Sequence, residues 1–261
     1  MRYEIRELGV GGILDQAIAV TKDHFWLFFK IVLVILLPFT IIAGWFFAPE
    51  VAAAQVGQMP GAQFWILSLV NLLGVYPLTN AAMIYAIASC YLGRPISVGI
   101  AFRRAGSIFL PLLGTMVLLW LILVLGMFLL FIPFIIFSLW YLLTVQVVVL
   151  EGVSGRAALS RSRLLMKGNT GTAIILTILA MVISVALNAM QNLIPQVELR
   201  LIVSSMIGSV LFIFIAAAWV VFYFSCRAKA EHFDLALLAD AVGTDDEQPT
   251  ATLNLSPGEG G

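Results

Sequence analysis

Six runs of this chain are too long, too apolar and too free of charge to lie in water. They span residues 25–47, 64–92, 107–131, 134–150, 171–190 and 201–225, and the only charged residue in any of them is Lys30. A helix rises ~1.5 Å per residue, so ~20 apolar residues cross the ~30 Å hydrocarbon core of a bilayer. Spanning segments must satisfy their own backbone polar groups, which leaves helices as the solution for runs of this length. Composition agrees. Hydrophobic residues make up 62% of the chain and charged residues 11%, against about 25% charged in a soluble domain. The expected fold class is all-α: a polytopic membrane protein of six transmembrane helices in three hairpins, with interfacial helices on the cytoplasmic side. The first run is expected to be retained as an anchor rather than cleaved as a signal, because its 23 residues exceed the ~7 to 15 of a signal core.

Two runs are unusual. The fourth has 17 residues and starts directly after Pro133, so the uncharged turn before it reads as the tip of a hairpin. The second is long, with Gly74, Pro77 and Asn80 near its middle, which predicts a kink and a projection beyond the membrane.

Thirteen of the fourteen basic residues fall before span one or at its start, between spans two and three, between four and five, or after six; Arg200 alone lies on the other side. Short loops rich in Lys and Arg stay in the cytoplasm. Both termini are therefore expected in the cytoplasm and the chain in the inner (plasma) membrane. The predicted organisation is a cytoplasmic N-terminus with an interfacial helix over 1–24, a membrane domain over 25–226, a cytoplasmic C-terminal helix over 227–244 and a disordered tail over 245–261. That tail is rich in Gly, Pro, Thr and acid and has little apolar surface to bury.

Each hairpin is preceded by a segment able to form a surface helix. In 11–24, Ile13, Leu14, Ala17, Val20 and Thr21 share one arc, opposite Asp15, Lys22 and Asp23, the pattern of an interfacial helix. Between spans four and five, Arg156, Arg163 and Lys167 recur at spacings of seven and four. They form a basic stripe suited to anionic lipid headgroups. Ser97, Ala101, Phe102 and Arg104 match Ser154, Ala158, Leu159 and Arg161 at a constant offset, a hint of internal duplication. Ala173, Thr177, Ala180, Ser184 and Asn188 of span five, and Ser204, Ser205, Gly208 and Ser209 of span six, make small-residue faces that predict helix contacts.

Catalytic signals are missing. No nucleophile elbow, zinc-protease, P-loop or C-x-x-C pattern occurs, and neither of the two histidines, His24 and His232, sits in a cluster of carboxylates. No catalytic residue, metal ligand or cofactor is assigned. Zero net charge and the lack of a basic cluster with stacking aromatics argue against nucleic acid. Cys90 and Cys226 fall on the expected cytoplasmic side, where thiols stay reduced. Lys30 can snorkel from its place near the start of span one. Asn71, Asn80, Gln146 and Asn188 are polar within spans, serving helix-to-helix hydrogen bonds or a substrate path.

Pro77 to Ala105, the IPF turn with the VVLEG stretch that follows it, and Ala158 to Asn169 resemble the membrane domain of some glycerophosphoryl diester phosphodiesterases and their uncharacterised stand-alone bacterial relatives. Tyr223 to Ala239 is similar to the closing motif of those relatives. Tyr223, Arg227, Glu231, Phe233, Asp234, Leu235, Leu237 and Leu238 match, whereas Ser225 stands where aspartate is usual and His232 where glycine is usual. The resemblance implies a membrane module without the hydrolytic barrel. The expected role is a non-enzymatic scaffold in contact with membrane lipids, or a module of envelope maintenance. Alternatives are a transporter for a neutral or lipid-like substrate, and a subunit beside a separate phosphodiesterase. Expected partners are lipids and either another membrane protein or further copies of the chain. The segment after span six, with Ala230, Phe233, Leu237 and Ala241 in a stripe, should continue that span to about Ala241, and Asp234 should pair with a basic residue of an interfacial helix.

Overall fold

The computed structural model describes residues 6–55, 61–129, 131–191, 193–194 and 196–231. Among the described residues the regular elements are all helices: α1 (Val10–Gln55), α2 (Ala62–Val70), a π-helical turn (Asn71–Val75), α3 (Tyr76–Tyr91), α4 (Val98–Ser107), α5 (Phe109–Leu129), α6 (Phe131–Trp140), α7 (Thr144–Glu151), α8 (Gly155–Met166), α9 (Thr170–Gln191) and α10 (Val197–Glu231).

Among the described residues five stretches are long and apolar enough to cross a membrane: Phe64–Tyr91, Phe109–Phe128, Ile132–Glu151, Thr170–Gln191 and Val203–Glu231. Their outer faces are hydrocarbon, with Phe128 85% and Met181 66% exposed. Such a surface would aggregate in water and is matched by lipid. The molecule is an all-helical membrane protein. The remaining expected run, 25–47, lies inside α1, and most of its side chains from Leu36 onward fall outside the description.

The packed core lies toward one end of the bundle. There the start of α1 (Ile13, Ala17, Val20), α3 (Ala81 to Tyr91), α7 (Val147 to Val149) and α10 (Ala216 to Cys226) bury one another. The predicted arc of the N-terminal helix is the buried one, but it faces protein, not lipid. An amphipathic pattern reports that a face is covered and does not say by what. At His24 the backbone leaves the helix (φ −123°, ψ 21°), where the first span was expected to begin.

In the second span, the proline-associated irregularity takes the form of a widened turn. The Tyr76 N–H donates to the Asn71 carbonyl five residues back. Pro77 has no N–H and its ring crowds the carbonyl a turn earlier, and a π-turn absorbs that conflict without ending the helix. The fourth span starts earlier than expected. Pro133 sits in the first turn of α6, where a missing N–H costs nothing, and the helix breaks at 141–143. Together α6 and α7 give the 20-residue span Ile132–Glu151. The hairpin ahead of it is tight, since a Cβ on Gly126 would lie 3.3 Å from backbone atoms of Phe134.

The small-residue faces behave differently from expectation. Of the five residues of that face on α9 only Ala173 is buried; the Thr177 and Ser184 hydroxyls donate to Ala173 O (2.8 Å) and Ala180 O (2.7 Å), and Asn188 Nδ2 donates to Ser184 O (2.8 Å). A short polar side chain satisfied by its own helix needs no neighbouring helix.

Candidate functional site

The α4 and α8 helices, matched in sequence, are also built alike. Ser97 and Ser154 occupy their N-cap positions in extended conformation, and Ala101 and Ala158 are fully buried at equivalent points. α8 is bracketed by glycines with positive φ, Gly152 (73°) closing α7 and Gly168 (80°) following α8; both are conformations that a side chain disfavours. Its inner face, Ala158, Leu159, Ser162, Leu165 and Met166, is buried. Ser162 Oγ donates to Trp140 O (3.0 Å), so α8 supplies a partner at the point where α6 breaks. The Gly155 N–H donates to Thr115 Oγ1 (2.8 Å), fixing the start of α8 on α5.

Arg161 leaves α8 sideways into a charged knot. Its Nε–H donates to both oxygens of Glu151 (3.1 and 2.9 Å), and its Nη2 pairs with Glu231. Glu151 also accepts from the Tyr223 hydroxyl (2.7 Å), and Glu231 from Arg227 Nε (2.8 Å). Burial alone would depress the Arg161 pKa, but hydrogen bonds and charge from Glu231 and Glu151 outweigh it and hold it above its ordinary value. Two carboxylates face two guanidiniums, so the knot is neutral. Beside it the N-terminal segment is tied to α10: the Leu8 N–H donates to Ser225 Oγ (2.8 Å) and Lys229 Nζ to Glu7 (2.6 Å). The Tyr91 hydroxyl donates to Gln16, and its ring stacks on Phe224 (5.3 Å between centroids).

The exposed side of α8 opens a cavity of about 810 Å³ between α6, α8 and the start of α9, lined by Trp140, Ser160, Arg161, Arg163, Lys167 and Thr170 among others. The Arg163 guanidinium lies 3.9 Å from the Trp140 ring centroid, a cation–π contact that holds it at the end of an apolar span. Because Arg161 is balanced within the knot, Arg163 and Lys167 supply the pocket's uncompensated charge.

Of the expected basic stripe, then, two members line one pocket, and Arg156, though exposed on the same helix, does not line it. Tyr223, Arg227 and Glu231 of the closing motif converge on one network. The continuation of span six as a helix reaches Glu231. Phe233, Asp234 and the expected end near Ala241 lie outside the described residues, as does the tail. Glu231 makes the kind of contact expected of Asp234, an ion pair to the segment between spans four and five. Glu151 and Trp140 were not among the candidates. The available signal was that Glu151 is the one acidic residue between Glu50 and Glu198. Of the polar span residues, Gln146 is buried with its Oε1 unpaired among the described residues. No group of three or more His, Cys, Asp or Glu able to hold a metal ion occurs among the described residues.

The pocket, the knot and all helices from α5 to α10 fall within residues 106–251, which match a family described as a domain of unknown function (DUF8558). The chain belongs to that family. The DUF8558 match covers more than half of the 261 residues and leaves α1 to α3 and most of α4 outside it. No curated protein and no solved structure matches the chain.

Proposed function

We propose that this DUF8558 protein is a non-enzymatic, six-span module of the inner membrane, with both ends in the cytoplasm, that holds an anionic lipid headgroup against α8 and scaffolds the bilayer surface there. The supporting observation is the α6–α8–α9 pocket. It combines two uncompensated cations, one fixed on an indole, with two hydroxyls at the polar end of apolar helices. Basic residues near an anionic surface contribute about 1 kcal/mol each. The lopsided placement of thirteen of fourteen basic residues supports the same orientation. Kinship with the membrane domain of glycerophosphoryl diester phosphodiesterases belongs to this proposal and rests on the residue matches of the second span and the closing motif.

The test is lipid retention measured by native mass spectrometry after extraction into detergent. Replacing Arg163 and Lys167 together with glutamine should weaken retention of phosphatidylglycerol over phosphatidylcholine by about 30-fold, the equivalent of ~2 kcal/mol, and Arg156→Gln should change it far less. Unchanged selectivity in the double variant would reduce the basic residues to a topology signal.

A further inference from the structure

A second cavity lies within the apolar spans, between α1, the π-turn with the start of α3, and the first half of α10. It has a volume of about 510 Å³, within the ~300 to 1,000 Å³ range of small-molecule sites. Its polar and small lining residues are Asn71, Tyr76, Thr79, Ser205, Gly208 and Ser209, and the rest of its wall is apolar. Ser205, Gly208 and Ser209 of the small-residue face of α10 border this space.

The π-turn places these groups. By taking an extra residue into one turn, it sets Asn71 and Tyr76 both on the cavity wall, and π-turns within helices concentrate at functional sites. Thr79 and Ser209 are occupied by their own helices, donating to Val75 O and Ser205 O (2.7 Å each). The side chains of Asn71 and Tyr76 make no hydrogen bond among the described residues. Polar groups left unmatched in hydrocarbon are costly, so a ligand that hydrogen-bonds them is favoured. No charged residue lines the cavity, and an ion brought here would forfeit its hydration without a counter-charge. Tyr76 and Met206 on its rim are 45% and 59% exposed, so the opening faces the lipid side of the bundle.

We infer that this cavity binds a neutral amphiphile, a hydrocarbon chain carrying one hydroxyl or carbonyl head, whose head hydrogen-bonds Asn71 and Tyr76 while its chain lies along α1 and α10. The site is separate from the headgroup pocket and does not depend on it.

A diazirine-bearing long-chain fatty alcohol, photolysed with the full-length chain in nanodiscs and mapped by peptide mass spectrometry, tests the assignment. Crosslinks are expected to concentrate in 29–33, 71–79 and 205–212, with oleyl alcohol competing and oleyl phosphate failing to compete. Asn71→Leu should weaken labelling about fivefold, the loss of one hydrogen bond. Gly208→Leu should abolish it by filling the space, and should fold, because a Cβ there meets nothing within 4 Å. Even labelling across the exposed face of α9, equal competition by oleyl phosphate, or full labelling in either variant would overturn the site.

Discussion

Glu151 stands at the end of an apolar helix with its side chain 14% exposed, and two hydrogen-bonding neighbours, Arg161 and Tyr223, keep it there. An exposed ion pair contributes about 0 to 1 kcal/mol, whereas stripping one partner from a buried pair costs about 3 to 5. This pair lies between those limits, so Glu151→Gln or Arg161→Leu should each lower unfolding stability in detergent by about 2 kcal/mol. The two losses should be far from additive, as expected of residues sharing one network; additive losses would show that the contact carries no coupling. A different residue limits the hairpin. A methyl group at Gly126 would sit 3.1 Å from the Phe137 ring and 3.3 Å from the backbone of Phe134. Backbone cannot step aside as a flexible side chain can, so Gly126→Ala should cost about 1 to 3 kcal/mol, while Gly114→Ala, whose Cβ meets nothing within 4 Å, should be nearly silent in the same thermal melt.

At the scale of elements, the end of α10 is held on both sides, by Glu231 to Arg161 and by Lys229 to Glu7. Removing the chain from Asp245 onward should leave detergent stability intact, and removing it from Arg227 onward should lower it clearly; equal melting of the two shortened chains would mean the helix end is not docked. Most helices could be read from hydropathy because length and apolarity alone define a crossing. The run expected at 107–131 is a helix over Phe109–Leu129, and that expected at 171–190 is Thr170–Gln191. The interruptions were harder to place. The break at 141–143 contains Tyr141, Leu142 and Leu143, residues with no bias against helix, and it is stabilised from a distant helix by Ser162. The π-turn is written only as Pro77, which identifies a conflict without saying how the helix resolves it. The pocket was legible as a spacing of basic residues, but separating Arg161 from Arg163 required knowing that Glu151 and Glu231 arrive on the same side of α8.

For the molecule as a whole, orientation is the most exposed expectation. Cysteines introduced at Gln58 and Gln196 should react with a membrane-impermeant maleimide added outside intact cells, and one at Ser160 should not; labelling at Ser160 would invert the topology. The native thiols will not obscure the result, since Cys90 and Cys226 are both buried. The charged end also sets an order of events in time. Glu151 and Arg161 leave the ribosome dozens of residues before Glu231, and Glu7 and Leu8 wait for Lys229 and Ser225, more than 200 positions later. Until α10 has been made, the segment ahead of α1 has nothing there to close against, and a chain stalled short of residue 225 leaves Leu8 without Ser225 and Arg161 with Glu151 but not Glu231.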